Sequence, residues 1–187
     1  MQAEIPPSVV EIGTHVFCKC CKLKEVIIPS SLKRIPSATF EECTSLLSIK
    51  IPSSITEIGD YAFCMCSNLR QISIPSTVTV IDEYAFCLCT NLRQIEIPFS
   101  VTKIANYTFK GCNALNKIDI PSSLTQIGRY AFHQCKALNE ILIPSSVEQI
   151  GEFAFSECES LNSISIPASI NEIDRLDLCS KTKIIRT

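Results

Sequence analysis

No apolar run in the chain approaches the ~18 residues needed to cross a bilayer, although apolar residues make up 46% of it. The opening MQAEIPPSVVEIG has no basic segment leading into an apolar core, so no secretory leader is expected. The closing KIIRT carries no prenylation or retention signal. The net charge of −2 gives no reason to expect nucleic acid or an anionic membrane as partner. Glycine occurs as five isolated residues, which excludes a Gly-rich phosphate loop. Histidine is nearly absent, with only His15 and His133. Cysteine is the exception. Twelve in 187 residues would ordinarily suggest a secreted disulfide framework.

A repeat gives the cysteines another meaning. Proline falls at 6, 29, 52, 75, 98, 121, 144 and 167, always 23 residues apart and always after isoleucine. Six residues on from each proline stands isoleucine, from Ile12 to Ile173. Eleven on stands phenylalanine, from Phe17 to Phe155, with Leu178 in the last copy. Fourteen on stand Cys20, Cys43, Cys66, Cys89, Cys112, Cys135 and Cys158, and seventeen on comes leucine, from Leu23 to Leu161. A period of this length marks a solenoid, in which a single coil cannot bury enough surface to fold alone and only the stacked array is stable.

Within a coil, Leu-x-x-Ile-x-Ile-Pro has the alternation of a short parallel strand, closed by a residue without an N–H. A hydroxyl column follows (Ser8, Ser31, Ser54, Thr77, Ser100, Ser123, Ser146, Ser169), suited to bonding a turn amide at a corner. Val/Ile-x-x-Ile-Gly reads as a second extended segment, with Gly13, Gly59, Gly128 and Gly151 sharing one turn position. The 3-and-3 spacing of Ala-Phe-x-x-Cys-x-x-Leu predicts one or two helical turns with a buried stripe. The expected fold is therefore an α/β repeat solenoid. It is a right-handed coil of eight 23-residue repeats with one parallel sheet and short helical or 3₁₀ turns. Residues 1–187 are read as a single domain, with 174–187 as a divergent C-terminal capping coil.

The unit that stands here as LRQISIPSTVTVIDEYAFCLC and LNEILIPSSVEQIGEFAFSEC resembles the BspA-like (Treponema pallidum-type) leucine-rich repeats. The resemblance covers residues 1 to about 173. It implies a non-enzymatic module of bacterial or protist cell surfaces, engaged in adhesion or in binding host proteins. The partner would then be a protein, including a glycoprotein or extracellular-matrix ligand. An intracellular interaction or structural scaffold is the other reading, favoured by the missing leader.

No catalytic, cofactor or metal residues are expected. The two histidines lie five repeats apart, and the serines and cysteines are explained as columns. The column cysteines read as buried small hydrophobes. Five others stand outside the column: Cys18, Cys21, Cys64, Cys87 and Cys179. On a helix, Cys64 and Cys87 would face outward and Cys66 and Cys89 inward, which rules out a shared metal and leaves an exposed Cys64–Cys87 disulfide or thiol pair as an alternative. His133 reads as a solvated surface residue. Asn106-Tyr107-Thr108 fits a glycosylation tripeptide, but Thr108 occupies an alanine column, so the match reads as coincidence.

Strand alternation places two columns on the outer face of the sheet. Their central members, Gln71, Ser73, Gln94, Glu96, Lys117 and Asp119, form the candidate partner-binding surface, with Arg70 and Arg93 as a basic spot beside it. Phe99 stands where the other copies have proline, serine or alanine, and is either a local packing contact or an exposed anchor. In the last copy Asp174 replaces the turn glycine, Asp177 the alanine and Lys181 the cysteine, as a water-facing end coil requires. The first copy begins directly in the strand without a polar cap. The chain is therefore expected to be a fragment of a longer protein or to self-associate through its N-terminal edge.

Overall fold

The computed structural model describes residues 1–187, except the side chains of Ile173 and Asp174. The 23-residue periods stack as coils of a parallel solenoid. Each Leu-x-x-Ile-x-Ile-Pro contributes one strand: Gln2–Glu4, Glu25–Ile27, Ser48–Lys50, Gln71–Ser73, Gln94–Glu96, Lys117–Asp119, Glu140–Leu142 and Ser163–Ile166. The first six form one sheet in that order, and the last two continue beside it. Pairing is parallel and matches equivalent residues, as in Gln71↔Gln94, Ile72↔Ile95 and Lys117↔Gln94. In the inner strands of the stack the middle residue is buried and its two neighbours are exposed. The second extended segment supplies a further side of two-residue strands, from Arg34–Ile35 to Gln149–Ile150.

The expected helical turns are not there. Among the described residues the one helix is the four-residue 3₁₀ segment Ile173–Leu176 of the terminal coil. In the third coil the N–H groups of Tyr61, Phe63 and Met65 donate to the carbonyls of Glu83, Ala85 and Cys87 in the next coil, at 3.0, 2.8 and 2.8 Å. The N–H groups of Ala62, Cys64 and Cys66 donate three residues back, at 3.2, 3.0 and 3.1 Å. A helix would need all of these bonds inside the coil. The alternation instead produces consecutive four-residue turns, and Tyr61 and Met65 take φ values of 57° and 58°. Such a positive φ at the third residue is the mark of a type II turn. The same two positions recur with positive φ in every coil from His15 and Lys19 to Phe153 and Glu157.

A left-handed non-glycine residue costs about 1–2 kcal/mol. One of the two left-handed positions is compensated by a ladder of rings. Tyr61, Tyr84, Tyr107, Tyr130 and Phe153 stack successively with centroids 4.5, 4.5, 5.1 and 5.0 Å apart. Inside, Phe17 to Phe155 form a parallel ladder with centroids 5.3–5.7 Å apart, and all but Phe17 are fully buried. At Gly59, Gly128 and Gly151 the backbone of the preceding coil approaches too closely for a side chain, a Cβ on Gly128 lying 2.6 Å from the Asn106 nitrogen, whereas Gly13 in the first coil has open space.

Two further expectations need correction. The corner hydroxyls do not bond turn amides. Ser31, Thr77, Ser123 and Ser146 donate instead to carbonyls of the preceding coil (Val9, Ile55, Val101 and Leu124) at 2.6, 2.8, 3.3 and 2.7 Å. The terminal coil is three residues short, pairing Ser163 with Lys183, and ends in a ninth strand of the main ladder, Lys183–Arg186, which the repeat pattern did not disclose. Its Asp177 is exposed and left-handed, and Lys181 is exposed, as an end coil requires. The expectation for Asp174 concerns a side chain outside the described residues.

Met65, half exposed with φ of 58°, tests the turn geometry. Met65→Gly is expected to be tolerated within about 1 kcal/mol, because glycine adopts φ > 0 freely. Met65→Val, β-branched, is expected to lose about 1–2 kcal/mol or more in urea unfolding. Equal tolerance of both would contradict the left-handed turn.

Candidate partner-binding surface

The outward residues of the strands line a shallow groove of about 520 Å³ across the third to sixth strands. Ser48, Lys50, Gln71, Ser73, Gln94, Glu96, Lys117 and Asp119 stand along it, over a floor of Ile49, Ile72 and Ile95. The six central residues expected on this face are thus brought together. The sign of charge is mixed, and Lys117 reaches Asp119 at 3.4 Å with both side chains largely in water. A pair so exposed is worth about 0–1 kcal/mol and leaves both groups available.

Arg70 and Arg93 sit in an adjoining hollow that shares Ser48, Gln71 and Gln94 with the groove. Phe99 is 69% exposed, so it is no local packing contact. It projects from a corner whose equivalents Ser53, Ser76, Ser122 and Ser145 are exposed too, and it does not line the groove. Elsewhere on the sheet Ile27 and Leu142 are exposed apolar members of the column that holds Lys50, Ser73, Glu96 and Asp119.

The inward cysteines do more than fill space. The thiols of Cys43, Cys66, Cys89, Cys112, Cys135 and Cys158 each donate to the carbonyl of the phenylalanine 26 residues earlier, at 3.1–3.3 Å. A carbonyl has two lone pairs, so the Phe63 oxygen accepts both the Cys66 N–H and the Cys89 thiol. Burial pushes the thiols of Cys43 and Cys158 up to about 12, and those of Cys89 and Cys135 well above the ordinary 9.0. They remain neutral donors at physiological pH.

Cys64 and Cys87 overturn the outward-facing expectation, being only 4% and 5% exposed. The outward placement assumed a helix, and in the turns Cys64 and Cys66 are both buried, as are Cys87 and Cys89. Cys64 and Cys87 hold equivalent positions in adjacent coils, 23 residues apart. Interaction with the neighbouring Cys87, together with burial, raises the Cys64 pKa, while interaction with Cys64 and the nearby Lys110 ammonium lower that of Cys87 against burial. An exposed disulfide is excluded, and all twelve cysteines are free.

His133 is likewise not solvated. It is 9% exposed, edge-on to Tyr130 at 5.3 Å, with Nε2 3.7 Å from Glu157. Burial holds its pKa below the ordinary histidine value. In the next coil Ser156 donates to Asp177 at 2.8 Å. Cys64, Cys87, Lys110, His133 and Ser156 share one column at 23-residue steps, a partly interior position that a helix would have turned to solvent. Thr108 is buried, and its hydroxyl donates to Ala105 at 2.9 Å, while Asn106 donates to Glu83 and accepts from the Arg129 amide. The tripeptide is consumed by structural bonds. Among the described residues no three His, Cys, Asp or Glu side chains are grouped to hold a metal ion. Among the described residues no helix is long and apolar enough to cross a membrane.

The family model for the BspA type leucine rich repeat region matches residues 1–115 and 79–185, in six copies. Among solved structures, the chain is similar to a leucine rich cell surface protein of Faecalibacterium prausnitzii, at 38% identity and a TM-score of 0.80. It is also similar to the T. pallidum leucine rich repeat protein, at 28% identity and a TM-score of 0.51. These alignments cover 87% and 76% of this chain but 46% and 58% of the other two, so the chain spans about half the length of the structures it matches. No curated protein matches it.

In native protein Cys18, Cys20, Cys21 and Cys179 are expected to react promptly with a thiol reagent, and the eight buried cysteines only after denaturant. Immediate reaction of all twelve would contradict the interior ladder. The pH dependence has a definite sign. Neutral thiols are favoured in the fold, so their contribution is complete below the ordinary pKa of 9.0 and declines as pH rises from there toward about 12. The unfolding free energy should fall above pH 9, by up to about 1.4 kcal/mol per pH unit for each such thiol.

Proposed function

Because the chain belongs to the BspA-type leucine-rich repeat family, we propose that it is a non-enzymatic protein-binding module whose sheet face holds the partner. Leucine-rich repeat arrays typically act in protein interaction, and 174–187 serves as the cap of this one. The observation that carries the reading is the contrast between columns. Inward positions repeat almost without change, whereas the outward residues of the same strands differ from coil to coil and line one groove. Variation confined to an exposed, rigidly spaced surface is what recognition of a particular partner uses. Hydrogen-bonding side chains of mixed sign suit a protein or glycoprotein ligand, with Phe99 as an apolar anchor at the corner.

The finer reading is adhesion or host-protein binding at a cell surface, supported by the likeness to the F. prausnitzii cell surface protein. An intracellular scaffold is supported by a different observation: twelve free thiols, with Cys21 exposed, persist best in a reducing compartment. Surface labelling and fractionation of the full-length product separates the two. The Gln2–Glu4 strand is paired on one side only, and self-association through that edge would appear as a concentration-dependent dimer in sedimentation.

The test is capture of partner by the intact array. Reversing Glu96 and Asp119 to lysine is expected to abolish capture with the melting temperature unchanged, because both side chains are exposed. Phe99→Ser should weaken capture without loss of stability. If both variants capture as well as the parent chain, the sheet face is not the binding surface.

A further inference from the structure

The six arginines of the chain fall into two groups. Arg34, Arg129 and Arg175 pair with Glu57, Glu152 and Glu172, and Arg186 donates to the carbonyls of Pro167 and Ile170. Arg70 and Arg93 are exposed and have no acidic partner among the described residues. Their backbones are fixed one coil apart. The Arg70 N–H donates to Leu47 at 3.1 Å, the Arg93 N–H to Arg70 at 3.2 Å and the Asn116 N–H to Arg93 at 3.1 Å. Two like charges rise from neighbouring backbone positions, and at about 4 Å such charges would repel by about 1 kcal/mol even in water; nothing in the fold requires the pair.

Their surroundings point one way. The column reads Lys24, Leu47, Arg70, Arg93, Asn116, Asn139 and Asn162, with no acid in any coil, whereas both outward strand columns contain acids. The hollow between the arginines is lined further by Ser48, Gln71, Gln94 and Asn116, all able to donate hydrogen bonds, and by no carboxylate. It opens into the groove already described.

We infer that Arg70 and Arg93 form an anion subsite at the rim of the groove, one that takes the carboxylates of an acidic segment of the protein partner. A guanidinium receives a carboxylate through two parallel N–H bonds, and two guanidinium groups one coil apart accept one or two acidic side chains. The arginine pair is only two coils wide; Glu96 shares the strand that follows Arg93, Asp119 and Glu140 stand in the next two coils and Glu25 two coils before Arg70, with Lys50 and Lys117 between them. A long polyanion would run into those acids. A short acidic segment would not. The inference rests on the protein-binding reading and specifies its partner.

The test is titration of the full chain with a capped alternating Ala-Glu hexapeptide, followed by the arginine Nε–Hε NMR signals, with an Ala-Lys peptide as control. The Arg70 and Arg93 signals should shift with the glutamate peptide alone. Its affinity should fall about tenfold or more in the R70Q/R93Q variant, as the loss of a charged hydrogen-bonded pair implies. The melting temperature should not fall, since the variant also removes a like-charge pair. Unshifted arginines, or an unchanged affinity in the variant, overturn the inference. Inorganic phosphate or a sulfated disaccharide acting on the same signals at tenfold lower concentration overturns the assignment to a carboxylate. Loss of capture on reversing Glu96 and Asp119, with the arginines unshifted, sinks this inference and leaves the sheet-face reading standing. Shifted arginines in a chain that captures no protein sink the sheet-face reading.

Discussion

Each coil satisfies much of its backbone through its neighbour, and everything else in the molecule follows from that loan. On the sheet side the strands pair in register. On the turn side alternate N–H groups cross to the next coil at about the same separation, as from Phe63 to Ala85 and from Phe86 to Thr108. A residue is therefore fixed in space by its position in the period and by nothing longer-range. An isolated coil would leave these groups without partners, which is why stability belongs to the array.

The loan has a conformational consequence. An N–H that points along the solenoid axis cannot close a helical turn, so the segment between the two extended sides must fold as tight turns containing left-handed residues. Tyrosine, methionine, leucine and glutamate occupy those positions although glycine would be less strained, and only Gly111 follows that preference. At one of the two positions the strain is offset by contact between equals: stacking in register makes any aromatic column a continuous ladder. The cysteine column works the same way. A serine there would be a stronger donor but costlier to bury, and a valine would leave the phenylalanine carbonyl with one acceptor site unused in a dry interior. The thiol is small, apolar enough to bury and still a donor.

The period, the strand and the inward and outward alternation were legible in the sequence because each depends on spacing alone. The turns were not. Ala-Phe-x-x-Cys-x-x-Leu has the spacing of a helix, and a left-handed Tyr61 or Met65 looks like any other tyrosine or methionine in a string of letters. The misplacement of Cys64, Cys87 and His133 followed from that one assumption, since a helix would have turned their column to solvent. The corner hydroxyls were assigned the wrong partner for a related reason: the nearest groups in space belong to the previous coil, 22 residues away in sequence. The strand Lys183–Arg186 escaped notice because a shortened coil breaks the very period by which the others were found.

The candidate surface was legible to the same extent as the strands. Gln71, Ser73, Gln94, Glu96, Lys117 and Asp119 needed only alternation and a 23-residue step to be placed side by side. Their availability is a separate matter, and it is decided by charge pairing across coils. A charged residue in one coil can meet its complement 23 positions on, as Lys19 meets Glu42 and Arg129 meets Glu152. Arg70 meets Arg93 instead. In an array where register makes every neighbour predictable, a like-charged step leaves its groups without an ion-pair partner among the described residues.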